Sequence, residues 1–254
     1  MKFTDIPLNN KLQKALSELD YTQTTQVQQQ AIPLILAVND VMARAKTGTG
    51  KTAAFALPIL NGLIEKNTNA DFISVLILAP TRELVQQIST SFIKYGKYTG
   101  IEVAAAYGGV SINPQIKELK QGVDILIATP GRLLDLLSNE HLNLKKLSVL
   151  TLDEADRMLD LGFRVELDEI LKYIPSKRQT LLFSATFDDV IYKFSNSLLN
   201  NAKVVTVDEK NETAEKVEQI IYTVDSDRKR ELLSYLIGSK NWQQVLIFTR
   251  TKVM

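Results

Sequence analysis

Residues Ala45-Lys46-Thr47-Gly48-Thr49-Gly50-Lys51-Thr52 form a glycine-rich run between a short apolar segment, residues 41–43, and a helix-like segment, residues 52–57. Apart from its first residue, the run closely matches the phosphate-binding pattern G-x-x-x-x-G-K-[ST]. Its glycines let backbone N–H groups turn inward, and the following helix N-terminus adds positive potential. We therefore predict that these residues bind nucleotide phosphates, with Lys51 contacting the β and γ phosphates and the Thr52 hydroxyl binding Mg²⁺. A glycine-rich turn with an incidental lysine is the alternative.

The composition limits what the chain can be. Its 254 residues are 45% hydrophobic, which is enough for a core; they are many for one domain of about 150 residues and few for two. The 30 Lys and Arg residues nearly balance 29 Asp and Glu residues, so any nucleic-acid surface must be a local patch. The absence of cysteine excludes disulfide bonds and thiolate metal sites. Residues 1–5 lack an apolar signal core, and no apolar run reaches the ~18 residues that span a membrane, so we expect a soluble cytoplasmic protein.

Apolar runs alternate with helix-like segments between residues 73 and 207, which predicts an α/β fold with a doubly wound parallel sheet. Several runs are continuously apolar, as expected for strands that are covered on both faces. Ligands of such sheets bind beyond the carboxyl ends of the strands, so functional residues are expected just after each run. The predicted strands are residues 73–78, 103–106, 125–128, 147–152, 180–183 and 204–207. The predicted helices are residues 8–19, 83–95, 114–120, 132–137, 165–173 and 190–199.

The acidic segment Asp153-Glu154-Ala155-Asp156 directly follows the predicted strand at residues 147–152. Mg²⁺ takes few protein ligands, and a carboxylate opposite a phosphate-binding loop can complete its shell through water. We predict that Asp153 serves the metal and that Glu154 orients or deprotonates the water that attacks the γ-phosphate. An acidic helix cap, in which these carboxylates accept from backbone N–H groups, is the alternative.

Four further junctions place glycine or polar residues where predicted strands end. A hydroxyl, a guanidinium and the free N–H groups of a helix start can form a phosphate site, and paired glycines allow close approach of a backbone. Each junction is also compatible with an ordinary helix start or turn. The four are Pro80-Thr81-Arg82-Glu83, Gly108-Gly109, Thr129-Pro130-Gly131-Arg132 and Ser184-Ala185-Thr186.

Tyr21 and Gln28 precede the glycine-rich run. An aromatic ring can stack on a base, and a Gln amide can pair with the N6/N7 edge of adenine. The alternative is that Tyr21 lies at the edge of the core and that Gln28 is a surface polar residue.

Taken in order, these segments resemble the motifs of the DEAD-box ATP-dependent RNA helicases, whose name residues 153–156 spell. The resemblance extends over nearly the whole chain and adds Phe3, which is similar to the family's isolated upstream aromatic residue. Details at residues 157–160, 241–244 and 248–252 are most similar to the bacterial RhlE-type branch. The resemblance implies a RecA-like P-loop domain that hydrolyses ATP and couples hydrolysis to local unwinding of RNA duplexes or remodelling of RNA–protein complexes.

The resemblance also implies a role for each motif, with ATP and Mg²⁺ as cofactors. The implied catalytic residues are Lys51, Asp153 and Glu154. Adenine contacts come from Phe3, Tyr21 and Gln28, phosphate contacts from Ala45, Lys46, Thr47, Gly48, Thr49, Gly50, Lys51 and Thr52, and Mg²⁺ contacts from Thr52 and Asp153. The implied contacts to RNA, which go to the backbone without reading sequence, come from Pro80, Thr81, Arg82, Gly108, Gly109, Thr129, Pro130, Gly131 and Arg132. The residues implied to couple the nucleotide to RNA binding are Asp156, Ser184 and Thr186.

The chain departs from the family pattern in a few places. Ala45 is similar to the family's own form of the phosphate loop, but Asp20 and Thr24 stand where the adenine segment usually has Gly and Pro, which implies a less rigid loop. The predicted organisation is a RecA-like ATP- and RNA-binding domain at residues 1–207, a polar linker at 208–216 and the start of a second RecA-like domain at 217–254. We expect strands at residues 217–224 and 245–248 and a helix at 228–237 in that last part. Later family motifs, including the arginines that complete the ATP site, do not occur within residues 1–254.

Two classes of function are compatible with this pattern. The first is an ATP-dependent RNA helicase, or its ATP- and RNA-binding half; the second is a non-catalytic, ATP-gated RNA clamp or scaffold. A DNA-directed motor of the same superfamily is disfavoured by the D-E-A-D and adenine segments. The apolar residues between 217 and 248 are too many to leave in water and too few to form a core, so we expect this tail to pack against the first domain or against a second copy in a homodimer.

Overall fold

A computed structural model describes residues 1–66, 72–207, 218 and 220–249. The chain divides into two compact units, Met1–Asp208 and Glu209–Met254, which are described separately. The first unit is built on a sheet of seven strands. In chain order the strands are β1 (Val41–Arg44), β2 (Val75–Leu78), β3 (Val103–Ala106), β4 (Ile125–Ala128), β5 (Val149–Leu152), β6 (Gln179–Ser184) and β7 (Lys203–Thr206).

Helices connect the strands of the first unit in the alternation that the sequence predicts. They are α1 (Asn10–Glu18), α2 (Gln26–Leu36), α3 (Lys51–Lys66), α4 (Arg82–Tyr95), α5 (Asn113–Leu119), α6 (Pro130–Ser138), α7 (Ala155–Asp160), α8 (Arg164–Ile170) and α9 (Asp189–Leu198). The strand order is β3-β4-β2-β5-β6-β1-β7, and the six neighbouring pairs are all parallel. The predicted doubly wound parallel sheet is therefore confirmed.

The two faces of the sheet bury separate apolar layers. Successive side chains of a strand point to opposite faces, and in β2 Val75 and Ile77 join one hydrophobic cluster while Leu76 and Leu78 join the other. The first layer includes residues of α1 to α4, and the second includes residues of α6 to α9. This burial on both faces explains why β2 and β4 are continuous apolar runs, and why the polar residue of β5, Thr151, is buried as well.

Most predicted elements lie within a few residues of the observed ones, and two helices were not predicted. Predicted strands 103–106 and 125–128 coincide with β3 and β4. Helix α2 begins with a capping box between Thr25 and Gln28, a T-x-x-Q signal that was readable in the sequence. Helix α7 is short and follows Glu154, whose left-handed backbone no local pattern predicts.

The second unit contains one α-helix among its described residues, α10 (Lys229–Ser239), which follows a 3₁₀ turn at Ser226–Arg228 and is close to the predicted helix at 228–237. The strands expected at 217–224 and 245–248 are wrong for its described part, because residues 220–225 and 244–249 adopt no strand. Residues 217 and 219 and the predicted linker at 208–216 lie outside the described residues. In the described parts of both units, no helix combines the length and apolar character that crossing a membrane requires.

Candidate functional site

The predicted functional segments lie at the carboxyl ends of six neighbouring strands. On one side of the sheet, the phosphate loop follows β1, Ser184-Ala185-Thr186 lies at the end of β6, and the acidic segment follows β5. On the other side, Pro80 to Arg82 follow β2, residues 129–132 follow β4, and Gly108-Gly109 follow β3. The sheet order therefore groups the nucleotide candidates on β1, β6 and β5 and the RNA candidates on β2, β4 and β3.

The phosphate loop has the backbone that its glycines predict. Gly48 and Gly50 have φ values of +88° and +89°, a region that residues with a Cβ rarely adopt. The Ala45 N–H donates to the Ser184 carbonyl at 3.0 Å, which joins the loop to the end of β6. The Thr49 hydroxyl donates to the Lys46 carbonyl at 2.8 Å and closes the turn. The loop is therefore shaped before α3 begins at Lys51.

Lys51 has a buried side chain that needs an anion. The residue is 6% exposed, and its Nζ has no hydrogen-bond partner among the described residues. A buried ammonium without a partner is costly in a folded protein. A phosphate group in the loop would provide the missing acceptors, so Lys51 fits a nucleotide phosphate.

Asp153 is a buried carboxylate close enough to Lys51 to interact with its charge. Burial is the main cause that raises the pKa of Asp153 from its ordinary value of 3.8 to about 6, and the positive charge of Lys51 opposes this rise. Its Oδ1 accepts from the Glu154 N–H at 3.0 Å. The described residues contain no group of three or more His, Asp or Glu side chains suited to a metal. Mg²⁺ commonly uses one or two carboxylates with substrate phosphates, so this single carboxylate fits the ion.

Glu154 adopts a strained backbone that directs its side chain to the phosphate loop. Its φ of 54° and ψ of 51° lie in the left-handed region, which costs about 1–3 kcal/mol for a residue other than glycine. The Thr47 hydroxyl donates to Glu154 Oε1 at 3.4 Å, and Arg157 Nη1 lies 3.5 Å from Oε2. The carboxylate is thus held beside the loop, on a segment whose strain the surrounding contacts maintain.

Asp156 connects the acidic segment to the segment that ends β6. Its Oδ2 accepts from the N–H groups of Ala185 and Thr186 at 3.1 and 3.0 Å, and from the Thr186 hydroxyl at 3.1 Å. The Ser184 hydroxyl is buried without a hydrogen-bond partner in the described part of the chain. The structure therefore brings Asp156 and Thr186 into contact, whereas the Ser184 side chain does not reach Asp156.

The predicted adenine segment is ordered by contacts within the chain. Gln28 is buried; its Oε1 accepts from the Thr25 N–H at 2.9 Å, and its Nε2 donates to the Gly50 carbonyl at 3.1 Å. Phe3 is also buried and packs edge-on against Tyr21, with ring centroids 5.5 Å apart. Asp20, which replaces a glycine of the family pattern, has a φ of +57°, a conformation that Asp tolerates better than most residues.

The RNA candidates after β2 and β3 share an aromatic residue that the sequence analysis missed. Thr81 caps α4 by accepting from the Leu84 N–H at 3.3 Å. The Arg82 guanidinium lies 5.2 Å from the centre of the Tyr107 ring, and Gln86 Nε2 donates to the Tyr107 hydroxyl at 2.9 Å. Tyr107 directly precedes Gly108-Gly109, so its position after a strand was the signal that could have identified it.

The Arg132 side chain points inward and anchors a neighbouring loop. Its Nη2 donates to the Val110 carbonyl at 2.9 Å, and its Nη1 donates to Gln115 Oε1 at 3.0 Å. The side chain is only 9% exposed, and its Nε makes no hydrogen bond to any described residue, lying 3.8 Å from a carboxylate oxygen of Asp135. In this structure Arg132 holds the loop that contains Gly109, which has a φ of +78°. A direct contact from Arg132 to RNA stays a prediction.

Comparison with known proteins gives matches along most of the chain. A family model described as DEAD/DEAH box helicase matches residues 25–194. The DEAD-box ATP-dependent RNA helicase RhpA of Helicobacter pylori is 40% identical over 250 residues, which cover 98% of this chain and 50% of RhpA. The ATP-dependent RNA helicase CshA of Listeria monocytogenes is 38% identical over 99% of this chain and 48% of its own length. The chain therefore spans about half the length of these curated relatives.

The fold comparison agrees with the sequence comparison. A crystal structure of a hypothetical ATP-dependent RNA helicase from Sulfolobus tokodaii superposes with a TM-score of 0.72 at 37% sequence identity. The match covers 79% of this chain and 57% of that protein. Because the family model covers more than half of the chain and includes both the phosphate loop and the D-E-A-D segment, the chain belongs to the DEAD/DEAH box helicase family.

Proposed function

We propose that this chain is the ATP- and RNA-binding part of an ATP-dependent RNA helicase that couples hydrolysis to local duplex unwinding or to remodelling of RNA–protein complexes. The observation that carries the proposal is the buried, unbonded ammonium of Lys51, which has no acceptor among the described residues and lies within electrostatic reach of the buried Asp153. An anion would pair with the Lys51 ammonium, and a divalent cation bound to that anion would pair with the Asp153 carboxylate. ATP with Mg²⁺ has this chemistry, and the names of the relatives agree with it.

The proposed ATP site combines residues that are far apart in the chain. N–H groups of residues 45–52 and the Lys51 ammonium hold the phosphates, while Thr52 and Asp153 hold Mg²⁺ directly or through water. When bound, Mg²⁺ neutralises charge on the β and γ phosphate oxygens. Tyr21 supplies a ring for adenine, with Phe3 packed behind it. Gln28 recognises adenine only after it gives up at least one of its bonds to Thr25 and Gly50.

Glu154 is the proposed base for the attacking water. Its carboxylate lies beside the phosphate loop, within hydrogen-bond reach of Thr47. Asp156 and Thr186 connect this segment to the end of β6, so that a change at the γ-phosphate can reach Ser184-Ala185-Thr186, the segment whose coupling to RNA the family resemblance implies. The Ser184 hydroxyl, which is buried and unbonded within the described chain, has a free donor for a rearranged partner.

The proposed RNA surface follows β2, β4 and β3. Its polar groups and helix starts suit phosphate and sugar contacts, which position a strand without reading its sequence. Assignment to the RhlE-type branch is part of the proposal, supported by the segments at residues 157–160 and 241–244. A cytoplasmic location is part of the same proposal, since RNA is abundant there. The same proposal takes residues 217–254 as the start of a second RecA-like domain and as the contact site for a second copy.

Calorimetry with Mg²⁺-ATP tests the site through two substitutions. We expect Lys51→Ala to abolish measurable ATP binding, because the ammonium contacts phosphate in the ground state. We expect Glu154→Gln to keep the affinity and to block hydrolysis, because the carboxylate acts only when water attacks. Unchanged affinity in Lys51→Ala would remove the phosphate-loop assignment.

Competition between nucleic acids tests the substrate. A labelled single-stranded RNA bound in the presence of a non-hydrolysable ATP analogue is displaced by unlabelled RNA or by DNA of equal length and sequence. We expect RNA to compete and DNA to compete poorly. Equal competition by DNA would favour a DNA-directed motor, and binding of RNA without any hydrolysis in a two-domain version would favour a clamp.

A further inference from the structure

The hydroxyl groups of Tyr21 and Tyr95 form a hydrogen bond that no motif of the sequence predicts. Their oxygen atoms are 3.0 Å apart, although the residues are 74 positions apart in the chain. The rings meet edge to face, with centroids 5.7 Å apart and an interplanar angle of 74°. Tyr95, the last residue of α4, is 5% exposed, whereas Tyr21 is 36% exposed. The buried tyrosine thus holds the accessible one.

Tyr21 is fixed from two sides while part of it remains open to solvent. Phe3 packs against its ring at 62°, and Tyr95 packs at 74°. Aromatic pairs in this geometry contribute about 0.5–1.5 kcal/mol beyond the area that they bury. Packing alone would let the Tyr21 ring shift within its plane. The hydrogen bond to Tyr95 fixes the position of the Tyr21 hydroxyl and so of the outer end of the ring. Burial raises the pKa of Tyr95 well above its ordinary value, so its hydroxyl stays protonated at neutral pH.

The end of α4 is itself fastened to α1, which makes Tyr95 a firm support. Lys97 Nζ lies 2.7 Å from a carboxylate oxygen of Glu18, and the Tyr98 hydroxyl donates to the same carboxylate. The Tyr21 N–H donates to the Leu16 carbonyl of α1 at 3.0 Å. Tyr21 and the segment that follows Tyr95 are therefore both bonded to α1, and the hydrogen bond between the Tyr21 and Tyr95 hydroxyls connects them directly.

The same segment reaches the phosphate loop at its other end. Gln28, seven residues beyond Tyr21, donates to the Gly50 carbonyl at 3.1 Å. The proposed ATP site places the base of a bound nucleotide against this segment, where Tyr21 is the accessible aromatic ring. A ring that is already held at the stacking angle binds a base more tightly, because ordering a mobile ring on binding reduces the affinity.

We propose that Tyr95 is a positioning residue for recognition of the nucleotide base, its hydroxyl holding the Tyr21 ring in the orientation that stacks on the base. This inference rests on the proposed function of the site as an ATP site. It makes base recognition depend on helix α4, whose other end carries Thr81 and Arg82.

Calorimetry with Mg²⁺-ATP and with Mg²⁺-tripolyphosphate, which lacks a base, separates base recognition from phosphate binding. The variants are Tyr95→Phe, Tyr21→Phe and the double variant, each of which keeps its rings. Removing one hydroxyl bond is expected to weaken ATP binding by about threefold to tenfold. The double variant should be no weaker than either single variant, because both remove the same bond. Tripolyphosphate affinity should not change.

Tyr192→Phe is the control, since it removes a tyrosine hydroxyl from α9, whose buried apolar residues belong to the other hydrophobic layer from Tyr95. It should keep wild-type affinity for ATP, and thermal melting should show that all variants are folded. ATP affinity that is unchanged in folded Tyr95→Phe would overturn this inference alone. Equal weakening of ATP and tripolyphosphate binding would also overturn it, because the effect would then be structural. Failure of the wild-type chain to bind ATP would overturn the proposed function and this inference together.

Discussion

Asp153 and Lys51 are two residues whose burial as charged groups destabilises the ligand-free fold. Both side chains are buried, and within the described residues neither charge has an opposite partner at hydrogen-bond distance. Burying a charge is unfavourable unless it is paired and hydrogen-bonded. Their mutual attraction offsets part of this cost, but burial still dominates the pKa of Asp153. Mg²⁺ and phosphate, bound as proposed, would remove the remaining cost.

Asp153→Asn is expected to stabilise the ligand-free chain at neutral pH. The pKa of Asp153 is raised in the fold from 3.8 to about 6, so the unfolded chain loses this proton at lower pH. The stability linked to the protonated form is therefore present below about pH 4 and is lost as the pH rises to about 6. A shift of this size corresponds to about 3 kcal/mol at full effect.

Urea unfolding of both proteins at pH 4 and pH 8, without Mg²⁺ or nucleotide, measures this difference. We expect the variant to be more stable than the wild type at pH 8 by about 1–3 kcal/mol and nearly equal to it at pH 4. A difference that is the same at both pH values would show that the gain comes from packing and not from the charge of Asp153.

Contacts between elements set the shape of the phosphate loop. The Gln28 side chain of helix α2 contacts the loop, where its Nε2 donates to the Gly50 carbonyl. A Cβ added to Gly50 would lie 2.4 Å from Gln28 Nε2, whereas a Cβ added to Gly48 would meet no atom within 4 Å. Gly50 therefore meets two requirements, a positive φ and room for a neighbouring helix, and Gly48 meets only the first.

Gly50→Ala should accordingly destabilise the chain more than Gly48→Ala. Both substitutions place a Cβ at positive φ, which costs about 1–2 kcal/mol, and Gly50→Ala also displaces the Gln28 amide, for about 1 kcal/mol more. Denaturant unfolding of the two variants gives the difference. In a Gln28→Ala background the two alanines should cost about the same; an extra cost that persists there would mean that Gln28 is not its source.

At the scale of the whole molecule, one prediction concerns the ATPase and unwinding activity of residues 1–254 by themselves. The family resemblance implies arginines in later motifs that complete the ATP site, and such donors can change the rate by about 10³ to 10⁵. We expect a polypeptide of residues 1–254 to bind ATP, hydrolyse it very slowly and leave duplex RNA wound. The measurement is RNA-stimulated ATP turnover beside a two-domain version. Comparable turnover in both would show that the later motifs are dispensable.

The tail of the second unit supports a prediction about self-association. Its described residues expose large apolar side chains, including Ile221, Leu246 and Phe248 at 80–90% exposure. In a polypeptide that ends at residue 254, apolar side chains of this kind are available for association with a second copy. We expect residues 1–254 to sediment as a concentration-dependent dimer and residues 1–207 to sediment as a monomer. The association need not use strands, since the described tail forms none. Monomers in both cases, at concentrations up to about 100 µM, would contradict the dimer.

Local chemistry made the phosphate loop, the acidic segment and the alternating elements predictable from the sequence. A glycine that needs positive φ, an apolar run that must be buried and a carboxylate placed after a strand each act within a few residues, so a linear pattern records them. The strand order was not recorded in this way, since β1 lies between β6 and β7, far from β2. Doubly wound sheets allow several orders, and the packing of helices on both faces selects one.

Several side-chain directions at the site were set by tertiary contacts that no local pattern records. The contacts Gln28–Gly50, Arg132–Val110 and Tyr21–Tyr95 join residues 22, 22 and 74 positions apart. In each contact, a side chain that was predicted to bind a ligand, or that was given no role, supports a neighbouring part of the chain. A motif specifies which chemical group is present, but the direction in which that group points depends on which helix packs against it. The physical reason is that burial and hydrogen bonding are satisfied over the whole fold, and neighbours in space supply partners that neighbours in sequence cannot.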